Sequence, residues 1–212
     1  MKNFKINKYI KGTFTMVYVV GIISILLMLW YILVIRKYKF TTKSITRIGV
    51  TVAVAFVLHL IVLFRLPQGG TINLFAFLPI MLLGAMFGKE EGLTAGLIFG
   101  ALELINDSYV INPIQFLLDY SLAAMPLGLA GIFGNDKKYK LILGAILAIV
   151  LNILSHTVSG AVFFGEYAPP GMNVWLYSII YNLTTSGIDG LMNIIALAVF
   201  PMSAIMKISK NK

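Results

Sequence analysis

The sequence has no cysteine and little charge. The absence of cysteine from 212 residues excludes disulfide frameworks, thiolate metal sites and cysteine nucleophiles. Only 12% of the residues are charged, against about 25% in an ordinary soluble domain. Hydrophobic residues make up 59% of the chain, and the mean hydropathy is +0.91. Because so few polar side chains are available to face water, the composition indicates an integral membrane protein.

Acidic residues are absent from residues 1–47, which hold nine of the 17 basic residues. The rest of the chain is balanced in charge, so the net charge of +9 flanks one apolar segment. Membrane proteins distribute charge in this way, and the pattern argues against a nucleic-acid partner. The sequence has no Walker motif and no HExxH spacing, so we expect neither ATP hydrolysis by this chain nor a metal site or cofactor.

Uncharged runs predict seven membrane helices, since a bilayer core about 30 Å thick needs about 20 apolar residues. Residues Gly12 to Ile35 have no charge and predict a retained first helix, because the run is too long for a signal peptide. Turn residues separate six further helices, at about 47–65, 71–87, 92–108, 113–133, 141–164 and 174–206. The last of these is long enough to project beyond the bilayer.

The spans predict an all-α integral membrane protein in two parts. Residues 1–46 form a tail, an extra hydrophobic helix and a basic linker, and residues 47–212 form a six-helix membrane domain. Twelve basic residues flank this domain on one side, while Arg65 is the one basic residue in the turns on the other. Because basic loops are cytoplasmic, both ends of the domain are predicted inside and the N-terminus outside. Four lysines in the N-terminal tail oppose this topology, which leaves open whether the first helix spans fully.

Polar side chains within the predicted spans collect toward the outer side. At 1.5 Å per residue, Asp119 lies about 9 Å, His156 about 13 Å and Asn182 about 12 Å from the outer ends of their helices. Aromatic residues occupy the same half: Tyr109, Tyr120, Phe164, Trp175, Tyr177 and Tyr181. The inner half is almost bare of ionisable groups. This distribution predicts a pocket open to the outside and closed below, since a channel needs polar lining at all depths.

Asp119 is a functional candidate because a carboxylate inside a membrane is costly to keep, although it could instead be a structural partner of His156. Gln115 lies one turn earlier on the same face. His156, Gly160 and Phe164 share one stripe of the next helix. The glycine either admits a flat ring between the other two or only permits close helix packing.

Tyr177 and Tyr181 share a face, whereas Asn182 lies about 140° from Tyr177 on an ideal helix. An irregular helix start is therefore expected if Tyr177 and Asn182 line one site. Glu103 is a second candidate site residue. The other polar residues are expected to have structural roles. Asp107 is expected in solvent, Glu90 and Glu91 in a turn, Asp189 as an internal structural partner and His59 as a core histidine with satisfied hydrogen bonds.

Six short segments between residues 65 and 182 carry a resemblance through their composition, order and spacing. They are Leu66-Pro-Gln-Gly-Gly70, Gln115-Phe-Leu-Leu-Asp-Tyr120, Leu127-Gly-Leu-Ala-Gly131, Leu154-Ser-His-Thr-Val-Ser-Gly160, Phe163-Phe-Gly-Glu-Tyr-Ala-Pro169 and Tyr177-Ser-Ile-Ile-Tyr-Asn182. Together they resemble the thiamine-specific substrate-binding (S) component of energy-coupling factor (ECF) transporters. The resemblance implies a non-enzymatic, six-helix protein of a bacterial plasma membrane that captures thiamine from outside. It also implies association with a transmembrane coupling subunit and two ABC-type ATPases.

The resemblance also implies which residues contact thiamine. They are Asp119, Tyr120, Tyr109, His156, Gly160, Phe164, Tyr177 and Asn182. Some family members have tryptophan at the position of Phe164, and some have another in the first outer loop, where this chain has Gly69-Gly70. Weaker stacking and a more open pocket wall are therefore expected. The first helix exceeds the family's six-helix pattern.

Gly49 and Ala53 form a small-residue face on the first core helix. The resemblance suggests that the coupling subunit docks there, and packing within the bundle is the alternative. Membrane lipid is expected on the remaining apolar faces. Three other functions stay open: the same fold binding another vitamin or a thiamine precursor, an intramembrane enzyme using Asp119 and His156 as an acid–base pair, and a scaffold without a small-molecule ligand.

Overall fold

The computed structural model describes residues 2–106 and 109–210, with side chains described for 15–106 and 109–209. In these ranges the protein is helical apart from one two-stranded hairpin. Two helices, Thr15–Ile35 and Lys138–Phe163, are each long and apolar enough to cross a membrane. A third span is present if the bent pair Val174–Val199 and Met202–Ser209 is counted as one. The predicted all-helical class is confirmed, while several predicted spans are shorter or broken.

The elements follow in the order α1 Lys2–Ile35, α2 Thr42–His59, β1 Val62–Arg65, β2 Thr71–Asn73, α3 Leu78–Phe87, α4 Lys89–Glu103, α5 Pro113–Phe116, α6 Leu122–Ala124, α7 Lys138–Phe163, α8 Val174–Asn182, α9 Ile188–Val199 and α10 Met202–Lys210. Two π-helical turns, Leu117–Ser121 and Leu183–Gly187, join α5 to α6 and α8 to α9. Two 3₁₀ turns, Met125–Leu129 and Gly165–Tyr167, follow α6 and α7.

The boundary between the predicted helices over 47–65 and 71–87 is wrong, because a β-hairpin lies between the two helices. α2 begins earlier, because the side chain of Thr41 accepts a hydrogen bond from the backbone of Ser44 and caps the helix. It ends at His59, and the chain then forms the antiparallel hairpin of β1 and β2. Two short runs rich in strand-forming residues flank the turn 66–70, which is a hairpin pattern. The hairpin delays the start of α3.

The span predicted over 113–133 is a broken helix. Its π turn and its 3₁₀ turn interrupt the α-helical hydrogen-bond pattern, and Pro126 cannot donate a backbone hydrogen bond. Some backbone carbonyls of this segment are therefore left without an α-helical partner. Two side chains of α7 take up these carbonyls. Ser155 Oγ donates to the carbonyl of Leu118 at 2.7 Å, and Asn152 Nδ2 donates to that of Ala123 at 2.8 Å.

The last predicted helix, over 174–206, is not one straight helix. It breaks after Val199, where Pro201 follows, and α10 turns away by 81°. Ile205 of α10 is fully buried in the main apolar core. Of the other spans, the one over 141–164 is confirmed as α7, and the one over 92–108 ends early, at Glu103. Asp107, expected in solvent, lies outside the described residues.

A stripe of glycines brings α4 against the broken helix. Gly92, Gly96 and Gly100 recur every four residues and face the backbone of residues 120–128. A Cβ on any of the three would overlap backbone atoms of that segment. Small residues permit such close approach between membrane helices. The stripe fixes the position of the segment that carries Asp119.

Glu91, expected in a turn, is instead fully buried in the first turn of α4. Arg47 Nε and Nη2 donate to its carboxylate, the former at 3.0 Å, and the hydroxyl of Tyr38 donates to it at 2.6 Å. Burial and the adjacent Glu91 raise the pKa of Tyr38 to about 12. The expectation was wrong because Arg47, 44 residues away, compensates the buried charge.

α1 runs along the depth of the bundle. Near its middle, Gly21 approaches Ile114 at the start of α5. Toward its C-terminal end, the hydroxyl of Tyr31 lies 2.9 Å from Oγ1 of Thr94 in the first half of α4. The N-terminal end of α1 is therefore on the side predicted to be outside, and the helix extends to the inner side.

Candidate functional site

A cavity of about 660 Å³ opens at the predicted outer end of the bundle. Its walls come from the hairpin, α4, the broken helix 113–129, α7, α8 and α9. All eight predicted site residues line it: Asp119, Tyr120, Tyr109, His156, Gly160, Phe164, Tyr177 and Asn182. The structure thus brings together residues from four separate stretches of sequence. That these residues bind thiamine stays a prediction.

Asp119 lies in the π turn Leu117–Ser121, and its side chain is 16% exposed. Gln115 Nε2 donates to its Oδ2 at 2.8 Å, and His156 Nδ1 lies 3.3 Å from its Oδ1. Asp119 is therefore both a partner of His156 and part of the cavity wall. A carboxylate has about four lone-pair positions, so two neighbours leave acceptor capacity for a ligand.

Aromatic rings form the wall beside the Asp119 cluster. The ring centre of Phe164 lies 5.9 Å from that of Tyr109 and 6.3 Å from that of Tyr167. A hydrogen bond with Tyr109 raises the pKa of Tyr167. Phe164 caps α7 rather than continuing it, but it still reaches the cavity. Phe163 packs away from the cavity in the apolar cluster beside α1.

Gly160 lets α7 and α8 approach each other closely. A Cβ at Gly160 would overlap Oγ of Ser178, a hydroxyl that donates to the carbonyl of Thr157 at 2.8 Å. Asn182 Nδ2 in turn donates to the carbonyl of Ser178 at 2.9 Å. These contacts show close helix packing at Gly160, and because Gly160 also lines the cavity, its contact with a flat ring stays a prediction.

The irregular start expected for the last helix is wrong. α8 is a regular α-helix from Val174 to Asn182, and a π turn follows it. Tyr177 and Asn182 both line the cavity because the cavity meets a broad face of α8, which also includes Ser178 and Tyr181. The cavity contacts more of the surface of α8 than the single helical stripe that we expected from the sequence.

The hairpin turn forms the cavity wall that the resemblance places at Gly69-Gly70, but the sequence did not lead us to expect a hairpin there. The backbone N–H of Gly70 donates to the hydroxyl of Tyr181 at 2.8 Å, which ties the turn to α8. Its signal in the sequence is the pair of short strand-like runs on either side of Pro67 and the two glycines, a pattern that also fits a boundary between two helices. Arg65 and Gln68 are further lining residues in this region.

The Gly70 contact carries a prediction. A Cβ at Gly70 would lie 2.6 Å from the hydroxyl oxygen of Tyr181, so Gly70→Ala must displace either the turn or the side chain of Tyr181, and either shift disturbs their hydrogen bond. We expect about tenfold weaker thiamine binding, equivalent to the loss of about one hydrogen bond, measured by calorimetry. The control is Gly49→Ala, which has open space around its Cβ and lies outside the cavity lining, and it should leave the affinity unchanged. Equal affinity for Gly70→Ala and the unsubstituted protein would contradict the role of this contact.

The cavity floor is polar. His59 Nδ1 lies 3.5 Å from Glu103 Oε1, and both residues line the cavity. Asp189 is buried as expected of an internal partner. It accepts hydrogen bonds from the backbone of Asn73 at 3.4 Å and from Nδ2 of Asn193 at 2.9 Å. Among the side chains that the structure describes, no three His, Cys, Asp or Glu residues are grouped to hold a metal ion.

Comparison with known proteins identifies the family. Residues 45–209 match the model of the thiamine transporter protein family (Thia_YuaJ). The thiamine transporter ThiT of Bacillus subtilis (strain 168) is 35% identical over an alignment of 152 residues, and the match covers 65% of this chain and 79% of that protein. ThiT of Lacticaseibacillus paracasei is 32% identical over an alignment of 124 residues, and the match covers 51% of this chain and 62% of that protein.

A solved structure shows the same fold. ThiT from Listeria monocytogenes superposes with a TM-score of 0.62 at 23% identity, covering 77% of this chain and 93% of that chain. The resemblance drawn from the sequence to the thiamine-specific S components is confirmed, and the protein is a multi-pass bacterial membrane protein. Because the family model covers most of the chain and all eight cavity residues named above, this protein belongs to the thiamine transporter protein family.

Proposed function

We propose that this protein is the membrane-embedded thiamine-binding subunit of an ECF-type vitamin transporter, and that it captures thiamine in the outer cavity. One observation carries the proposal. The eight residues that the family resemblance selects line a single cavity, although they come from distant parts of the chain. Its family is one of transporters and not of enzymes, so the pair of Asp119 and His156 serves binding rather than acid–base catalysis.

The chemistry of thiamine suits this cavity. Thiamine has a permanent thiazolium cation and a flat aminopyrimidine ring. The carboxylate of Asp119 compensates positive charge and accepts hydrogen bonds from an amino group. The faces of Tyr109 and Phe164 attract a cation, which contributes about 2 kcal/mol where water is excluded. Asn182 and Tyr177 provide polar groups that orient the ring heteroatoms.

Uptake requires partners, since the chain has no phosphate-binding loop. We propose that a transmembrane coupling subunit with two ABC-type ATPases docks on the face of Gly49 and Ala53. Both residues are exposed on α2, and a Cβ at Gly49 would meet no described atom within 4 Å. Packing within the bundle therefore does not explain the small residue at this position. We also propose that residues 47–212 form the binding domain and residues 1–46 an addition to it.

A titration with a competition panel tests the ligand. The intrinsic fluorescence of detergent-purified protein should change and saturate at one thiamine per chain. Other vitamins and thiamine precursors should compete poorly. The panel matters because Phe164 replaces the tryptophan of some family members. If another vitamin displaces thiamine at lower concentration, the fold is right and the ligand is wrong.

A matched pair of phenylalanines tests the aromatic wall. Phe164→Ala should weaken thiamine binding more than Phe163→Ala, because Phe163 packs away from the cavity. Loss of one ring stack should cost about 0.5–1.5 kcal/mol beyond the lost apolar area. Calorimetry on both variants measures the difference, and equal losses of affinity would contradict the assignment of the wall.

A further inference from the structure

The N-terminal helix α1 lies outside the residues that match the family model, which begin at residue 45. From residue 15 onwards, α1 presents one narrow buried stripe to the bundle, and most of its other side chains are exposed. The fully buried members of the stripe are Val20, Gly21, Ser24 and Tyr31. Ser24 follows Val20 by four residues and Tyr31 follows Ser24 by seven, which is the spacing of one helix face, and Gly21 adjoins that face. α1 is thus a peripheral helix that touches the bundle along one line.

The outer half of this stripe packs on α5 and the π turn that follows it. Val20 forms a buried apolar cluster with Leu118 and Val162. At the next residue the helices are so close that a Cβ on Gly21 would lie 2.9 Å from Cδ1 of Ile114. These contacts tie α1 to the backbone that carries the acidic residue of the cavity.

Residues on this segment alternate between α1 and the cavity. Ile114 and Leu118 belong to the cluster at α1, whereas the residues that follow each of them, Gln115 and Asp119, line the cavity. Gln115 and Asp119 are also hydrogen-bonded to each other at 2.8 Å. A displacement of Ile114 or Leu118 by α1 is therefore passed directly to the hydrogen-bonded pair in the cavity.

The segment has little regular helix of its own to resist such a displacement. α5 has four residues and α6 has three, with a π turn between them and a 3₁₀ turn after them. Hydrogen-bond geometry in 3₁₀ helices is poorer than in α-helices, and π turns are rare single-turn features. The position of Asp119 consequently depends on what surrounds the segment: the glycine stripe of α4, Ser155 of α7, and α1.

We propose that α1 is a buttress that positions Asp119 for ligand binding, with Val20 and Gly21 as its positioning residues. The inference rests on the proposed function, because it is measured through thiamine affinity. It goes beyond that function in assigning a role in recognition to a helix whose side chains from residue 15 onwards contribute nothing to the cavity lining.

Two neighbouring valines provide a matched test. Val20 is 8% exposed and faces the π turn, whereas Val19 is 49% exposed. Overpacking a tight interface is costly, so Val20→Trp should weaken thiamine binding by about tenfold. Val19→Trp adds the same ring on the outward face and should leave the affinity within about twofold. Binding is measured by calorimetry on the full chain, and thermal unfolding in detergent checks that both variants are folded.

A double variant separates positioning from general damage. If Val20 acts through Asp119, Val20→Trp should change the affinity of an Asp119→Asn protein by less than about twofold, because coupled residues are not additive. An additive tenfold loss in that background would overturn the proposal, as would equal affinities of Val19→Trp and Val20→Trp. If Val20→Trp does not fold, Gly21→Ala makes the same test with Ile22→Ala as its control. Failure of the unsubstituted protein to bind thiamine overturns the proposed function and this inference together, while binding with no difference within either pair overturns the inference alone.

Discussion

Asp119→Asn is expected to lower the affinity for thiamine by about 10- to 150-fold. The substitution keeps the shape of the side chain and removes its charge. A hydrogen bond to a charged group contributes about 1.5–3 kcal/mol, which converts to this range of affinity. Asp119 faces the cavity between Gln115 and His156. A loss of thiamine affinity can therefore be attributed to the missing charge without assuming that other wall residues move. Calorimetric titration of the variant measures it.

A neutral analogue that lacks the thiazolium charge identifies how Asp119 acts. If the carboxylate acts through charge, the analogue should lose less affinity than thiamine on the same substitution. Equal losses would show that Asp119 acts as an acceptor for the aminopyrimidine. If neither ligand loses affinity, Asp119 is structural, and Glu103 on the cavity floor becomes the candidate for ionic recognition.

Tryptophan at both Gly49 and Ala53 is expected to abolish ATP-dependent thiamine uptake while leaving thiamine binding unchanged. The two residues lie on the exposed face of α2, and the cavity lining does not include them. Two indole rings there would hold a docking helix away, since close contact between membrane helices requires small residues. Uptake is measured in liposomes that contain the coupling subunit, both ATPases and internal ATP.

The control for this prediction is a second pair of tryptophans on another helix. Ile146 and Val150 are also four residues apart, and both are exposed on α7. Ile146→Trp with Val150→Trp should leave uptake close to that of the unsubstituted protein. Equal loss of uptake in both pairs would indicate a general effect of bulk in the membrane. Robust ATP-dependent uptake by the chain without added subunits would contradict the partnership itself.

The local signals in the sequence were sufficient to find part of the cavity lining. Asp119, His156 and Asn182 are polar residues in apolar surroundings, and their depth from the helix ends placed them at one level. The outer aromatics followed the same distribution. Such evidence depends only on residue type and approximate position along a helix. These residues were therefore identified correctly as cavity residues although several helix boundaries were wrong.

Features that depend on distant partners could not be found in this way. Glu91 looks like a turn residue next to Glu90, and only the fold shows that Arg47 pairs with it. The π turn around Asp119 has no recognisable signal in the local sequence. The carbonyl of Leu118 in this turn accepts its hydrogen bond from Ser155, which belongs to another helix. The hairpin at Gly70 had a signal, but the expectation of continuous spans took precedence over it.

Calorimetric titration of the detergent-purified protein with thiamine tests the central claim most directly. We predict saturable binding at one thiamine per chain, with an affinity tight enough to scavenge the vitamin from dilute solution. A cooperative thermal transition recorded on the same sample shows that the protein is folded. Absence of heat and of saturation in a folded sample would contradict the account.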